Sequence, residues 1–149
     1  MKKLGKSSKK GFTLVELIVV IVILAVLAAM LVPALIGYID RARKEKDYQA
    51  ASVVYAAAQA ALTEAYAKGD IEDKASATAI TNTSKFGTPE VDYGKVVYDL
   101  AGVTTDKVTA FSFTAENAII KSGTVTIDNG GSAVTYKLNT DGSWGVAST

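Results

Sequence analysis

The chain has 149 residues, 49% of them hydrophobic, with 16 basic and 15 acidic side chains. That length holds one modest globular domain plus a long helix. Histidine and cysteine are absent, which excludes Ser-His-Asp and Cys-His nucleophiles, His/Cys zinc sites and any disulfide.

The first segment is lysine-rich: Lys2, Lys3, Lys6, Lys9 and Lys10 all precede Gly11. By the positive-inside rule these lysines hold the N-terminus in the cytoplasm. Without them eleven basic side chains stand against fifteen acidic ones, a net charge of about −4. The body of the chain therefore lacks the basic excess that nucleic-acid binding predicts, and a nucleic acid is expected as a partner only indirectly.

An apolar run follows from Phe12 to Ile36, interrupted near its start by Glu16. It is long enough to span a bilayer, which takes about 20 mostly apolar residues. A carboxylate inside such a span costs roughly 2.5–3.5 kcal/mol on insertion scales, so it calls for a partner. A secretory signal peptide has an apolar core of about 7–15 residues and a small-residue cleavage site. The stretch from Leu17 to Val32 is at or beyond that limit, and no clean A-x-A site follows it. An uncleaved signal anchor fits the length. Neither reading accounts for Gly11-Phe12 and Glu16 at their relative spacing.

The local sequence Lys9-Lys10-Gly11-Phe12-Thr13-Leu14-Val15-Glu16-Leu17 closely resembles the N-terminus of a type IV prepilin, the precursor of pilus and related filament subunits. The resemblance implies cleavage between Gly11 and Phe12 and methylation of Phe12 as the new N-terminus. Glu16 becomes the fifth residue of the mature chain, and its implied role is subunit assembly, by pairing with the N-terminal amine of a neighbour. Such a pairing also has a direct physical rationale, because opposite charges attract strongly in low dielectric and neither can be left alone there. Pro33 falls where many pilins have proline, and Ala25 stands where the family often has glycine.

Pro33 and Gly37 predict a helix kink or a locally weakened stretch. The charged segment Asp40, Arg41, Arg43, Lys44, Glu45, Lys46 and Asp47 reads as a solvated helix face. Beyond it, Tyr48, Ala51, Tyr55, Ala58, Leu62 and Tyr66 recur at helical spacing and define an apolar stripe that fixes the helix onto a sheet. Gln49, Ser52, Gln59 and Glu64 lie largely off that stripe. Gly69, with Lys68 in the last turn, is a good stop. A single helix from Phe12 to Lys68 is predicted.

Asp70 to Pro89 reads as loop, with a glycosylation-like triplet at Asn82-Thr83-Ser84. Thr88-Pro89-Glu90 has the cap and first-turn proline of a short helix over Glu90–Leu100, ending at Gly102. Strands are predicted at 108–113, at 123–127 and at 134–138, the last two joined through Asp128-Asn129-Gly130-Gly131. A final strand surrounds Trp144, read as a core or sheet-edge anchor. Asp128, Asn129, Asn139 and Asp141 could be imagined as calcium ligands, but the spacing does not fit an EF-hand and the turn reading is preferred. No phosphate loop, nucleophile elbow or dinucleotide fingerprint is present.

The resemblance thus implies an α+β, type IV pilin-like fold, with a long N-terminal α-helix packed on a C-terminal antiparallel β-sheet. Residues 1–11 are expected to be a leader, 12–37 the transmembrane and filament-core half of the helix, and 38–149 the headgroup. The expected function is structural rather than enzymatic, with no cofactor and no metal: a pilus subunit for adhesion, motility or DNA uptake. The alternatives are a pseudopilin of a type II secretion or competence system or, outside the class, a membrane-anchored binding module. Expected partners are further copies in a helical filament, the prepilin peptidase and N-methyltransferase, and the assembly platform with its ATPase. The expected location is the cytoplasmic membrane before assembly and the cell surface after it.

Overall fold

The computed structural model describes residues 11–71 and 78–147. The lysines before Gly11 and part of the stretch from Asp70 to Pro89 lie outside the described residues. The chain divides into two compact units, residues 1–43 and 44–149. One helix, α1 (Leu14–Lys68), contributes to both.

In the first unit α1 carries apolar side chains around its whole circumference, and every described residue up to Lys46 is exposed. A helix that is apolar all round belongs in a core or a membrane. Here, among the described residues, nothing covers it. The helix is assigned without a break across Pro33 and Gly37. Proline has no N–H for the carbonyl one turn earlier, that of Ala29.

In the second unit α1 becomes amphipathic and buries one face. Ala51, Ala58, Leu62 and Tyr66 of the predicted stripe are buried, with Tyr48 and Tyr55 half-buried beside them. Val54, Ala57, Ala61 and Ala65 are buried too, so the contact face is wider than the stripe. These small side chains let the helix approach the sheet closely. α1 ends at Gly69, whose φ is +79°. The Gly69 and Asp70 amides donate to the carbonyls of Tyr66 and Ala65, the paired bonds of a Schellman stop.

The sheet has five antiparallel strands in the order β1 (Thr78–Thr81), β4 (Val108–Glu116), β5 (Ile119–Asp128), β6 (Ala133–Leu138) and β7 (Trp144–Val146). A two-stranded ribbon pairs β2 (Lys85–Phe86) with β3 (Val91–Asp92). Phe111 and Phe113 point into the core together, as their alternation predicts. Register shifts at Val108/Ala110 and Thr114/Ala115 reset the alternation, so that Val108 and Ile120 also face inward. Gly123 lies opposite Phe113, and a β-carbon there would sit 2.1 Å from the ring. Trp144 is half-buried on the edge strand β7, packed against the core.

Three expectations change. The stretch read as loop up to Pro89 contains β1, whose Ile80 is fully buried, and β2. Partners supplied by β4 and β3 make strands of segments with little pattern of their own. The short helix, α2 (Tyr93–Ala101), starts later than predicted. Its cap is Asp92, whose Oδ1 accepts from the Lys95 amide at 2.9 Å, while Thr88-Pro89 lies in the turn between β2 and β3. Gly102 terminates it as expected, with φ +62°. The third change concerns Asp47, which is taken up with the site.

Candidate functional site

Gly11, Phe12 and Thr13 precede the first helical residue, and all three are exposed. Phe12 is 92% exposed. The bond proposed for cleavage therefore lies in exposed, non-helical chain immediately before α1, and no described residue beyond its chain neighbours comes within 4 Å of where a Gly11 side chain would begin.

Glu16 sits in the first turn of α1, where its carboxylate meets unpaired amides and the positive end of the helix dipole. Its Oε2 accepts from the Thr13 amide and the Thr13 hydroxyl, both at 2.8 Å. The Glu16 amide in turn donates to the Thr13 Oγ1 at 3.3 Å. This is a reciprocal capping box. Glu16 thus has a partner within its own chain, through one oxygen. Its Oε1 makes no bond among the described residues. Thr13 has no role in the sequence reading, although the Thr-x-x-Glu spacing carries the signal.

From Leu14 the helix is long and apolar enough to cross a membrane, and its most apolar stretch is wholly exposed. Pro33 and Gly37 lie on its exposed surface beyond Glu16. The described geometry of α1 brings neither of them near Gly11, Phe12 or Glu16.

A second polar site appears in the second unit. Asp40, Arg41, Arg43, Lys44, Glu45 and Lys46 are exposed, as a solvated face requires. Asp47 is not: it is 2% exposed. Its Oδ2 accepts from the Tyr136 hydroxyl at 2.8 Å and from the Asn129 Nδ2 at 2.6 Å, and its Oδ1 accepts from the Lys107 Nζ at 3.4 Å. Lys107 also donates to the Asn129 Oδ1. Tyr48 stacks edge-on against Tyr136 at 5.4 Å. Burial and the bond to Asp47 push the Tyr136 phenol well above its ordinary value. Three of these partners lie 60 to 89 residues from Asp47 in sequence, which is why a run of charges on a helix conceals the site.

Two other polar anchors fix the second unit. Gln59 accepts from the Ile120 amide at 2.9 Å and donates to the Ala118 carbonyl at 2.7 Å, gripping the β4–β5 turn as a strand edge would. Tyr93 donates to Asp70 at 2.5 Å, and burial with that bond pushes its phenol up to about 12. Asp128 accepts from the amides of Gly130 and Gly131, and Asp141 from the amide and hydroxyl of Ser143. Asn139 donates to Ser143. The side chains considered as calcium ligands are therefore bound to their own turns or, for Asn129, to Asp47 and Lys107.

Residues 6–32 match the family model of the prokaryotic N-terminal methylation motif. No curated protein and no solved structure matches the chain. The chain therefore carries the N-terminal methylation motif characteristic of type IV prepilins and pseudopilins, at the head of an α+β fold of pilin-like form.

Proposed function

We propose that this chain is a structural subunit of a type IV pilus, matured by cleavage after Gly11 and methylation of Phe12. The observation that carries the reading is the first half of α1, an apolar surface that no described residue covers and most of which lies within the methylation motif. Residues 12–37 sit in the cytoplasmic membrane, with the leader lysines inside, and then pack against other copies in the filament. Residues 38–149 form the headgroup on its surface. The prepilin peptidase and N-methyltransferase act first, and the assembly platform and its ATPase then extract the subunit from the membrane.

Glu16 sets the register between neighbours. With Oε2 held by Thr13, Oε1 takes the N-terminal amine of Phe12 from the adjacent copy. Both charges then leave water as a pair, which neither could do alone at acceptable cost. Pro33 and Gly37 give the helix a place to bend or loosen as subunits pack. The filament serves adhesion, motility or DNA uptake.

Mass spectrometry of the native N-terminus tests the proposal. A mature chain beginning at Phe12 with one added methyl group is the expected result. An intact start in cells with an active prepilin peptidase would overturn it and favour a plain membrane anchor. A correctly processed chain that forms no surface filament, and whose loss abolishes only secretion or transformation, would assign it to the pseudopilins instead.

A further inference from the structure

The cluster around Asp47 is not used by the filament reading. Lys107 stands just before β4, Asn129 in the turn after β5 and Asp47 on α1, yet their functional groups meet. The Lys107 nitrogen contacts the Asn129 amide oxygen, one bond from the carbonyl carbon. Asp47 bridges the two, with Oδ1 at 3.4 Å from the Lys107 Nζ and Oδ2 at 2.6 Å from the Asn129 Nδ2. A primary amine, a carboxamide and a buried carboxylate are the groups an amide exchange requires.

We propose that Lys107 and Asn129 are the partners of a self-formed intramolecular isopeptide bond, with Asp47 as the proton carrier. The Asp47 carboxylate takes a proton from the Lys107 ammonium. The freed amine attacks the Asn129 Cγ, forming the C–N bond while the carbonyl electron pair moves onto Oδ1. Asp47 delivers its proton to Nδ2 and removes one from the attacking nitrogen. The carbonyl reforms, the Cγ–Nδ2 bond breaks, and ammonia departs with the last proton. One ammonium and one carboxamide give one secondary amide and one ammonium ion, so charge and atoms balance without an oxidant or other co-reactant.

The surroundings suit the reaction. Asp47 is screened from water, with the Tyr136 hydroxyl on its Oδ2 and Tyr48 packed edge-on against the Tyr136 ring. The Lys107 side chain remains 34% exposed, which gives ammonia a way out. The Asp128 amide donates to the Lys107 carbonyl at 2.9 Å, so the backbones are already docked. The bond would close a ring across the β4–β5 hairpin and restrict the unfolded chain as a disulfide does, in a protein that has no cysteine.

Asn129 precedes Gly130, and an Asn-Gly pair can also lose ammonia when the following backbone nitrogen attacks to form a succinimide. In the structure that nitrogen donates to the Asp128 Oδ1 at 2.8 Å. The test must still separate the two routes. The purified full chain and its Lys107→Arg and Asp47→Asn variants are weighed intact, then digested and mapped. The wild type is expected to be lighter than its processed sequence by one ammonia and to yield a branched peptide joining the segments around Lys107 and Asn129. Both variants are expected at full mass. A wild type at full mass would overturn the proposal, and so would an ammonia loss that survives in Lys107→Arg and maps to Asn129-Gly130 alone. A crosslinked Asp47→Asn would remove Asp47 from the chemistry. The wild-type branched peptide decides the existence of the bond even if a variant folds poorly, and the assay does not depend on filament assembly.

Discussion

From Leu14 to Ile36, α1 is apolar on every face and every residue is exposed. From Asp47 to Tyr66 the same helix buries nine residues, spaced one, three or four apart, along one face. Both halves are rich in apolar residues. The pattern decides what each half needs: a one-sided stripe is satisfied by one sheet, while an all-round surface needs lipid or several helices. On the proposed function the halves contribute to different stabilities, one to folding and one to membrane residence and assembly.

Breaking the first half should leave the second intact. Glu16→Ala is expected to reduce filament yield by more than about tenfold, because the neighbour's amine would be buried without its counter-charge. Its headgroup should melt as the wild type does. Normal filament yield by microscopy would remove Glu16 from assembly. Breaking the second half should do the reverse. Leu62, fully buried, is expected to cost about 2–5 kcal/mol of headgroup stability when changed to alanine. Leu27→Ala, at a 51% exposed position, should change that stability by less than about 0.5 kcal/mol. Equal effects in denaturant titrations would mean that the two halves do not divide the work.

Finer changes sharpen the picture of how the second half is held. Tyr136→Phe removes one donor from the buried Asp47 and should cost about 1.5–3 kcal/mol by the same titration. Ala118 adopts φ +60° in the β4–β5 turn, a conformation that costs an L-residue about 1–2 kcal/mol. Ala118→Gly should therefore raise stability by about 0.5–1 kcal/mol after the added chain entropy is subtracted, with the Gln59 bond to the backbone carbonyl retained. A lower melting temperature would show that the turn depends on the alanine methyl. The smallest effect is on acid sensitivity. The Gly130 and Gly131 amides hold the Asp128 carboxyl below its ordinary value. Its contribution is present above the unfolded value of 3.8 and is lost as pH falls through the lower folded value. Asp128→Ala should flatten that acid limb in melts taken below pH 4.

Features written in local spacing are legible in the chain alone. Gly11-Phe12 and Glu16 identified the N-terminal motif, Gly69 and Gly102 ended helices, the stripe from Tyr48 to Tyr66 marked the side of α1 that meets the sheet, and Phe111 with Phe113 showed which side of the strand faces inward. The Thr13–Glu16 capping box was equally local and could have been read from its spacing. The burial of Asp47, the grip of Gln59 on a turn about sixty residues away, the pairing of β1 with β4 and the preference for Asp92 over Thr88 as the cap of α2 become legible in the folded chain. The reason is physical. A helix or strand pattern is repeated by the backbone every few residues, whereas the environment of a polar side chain is fixed by whatever distant segment folds against it. Asp47 stands among exposed charges in sequence, and Lys107, Asn129 and Tyr136 reach it only when the sheet closes over α1.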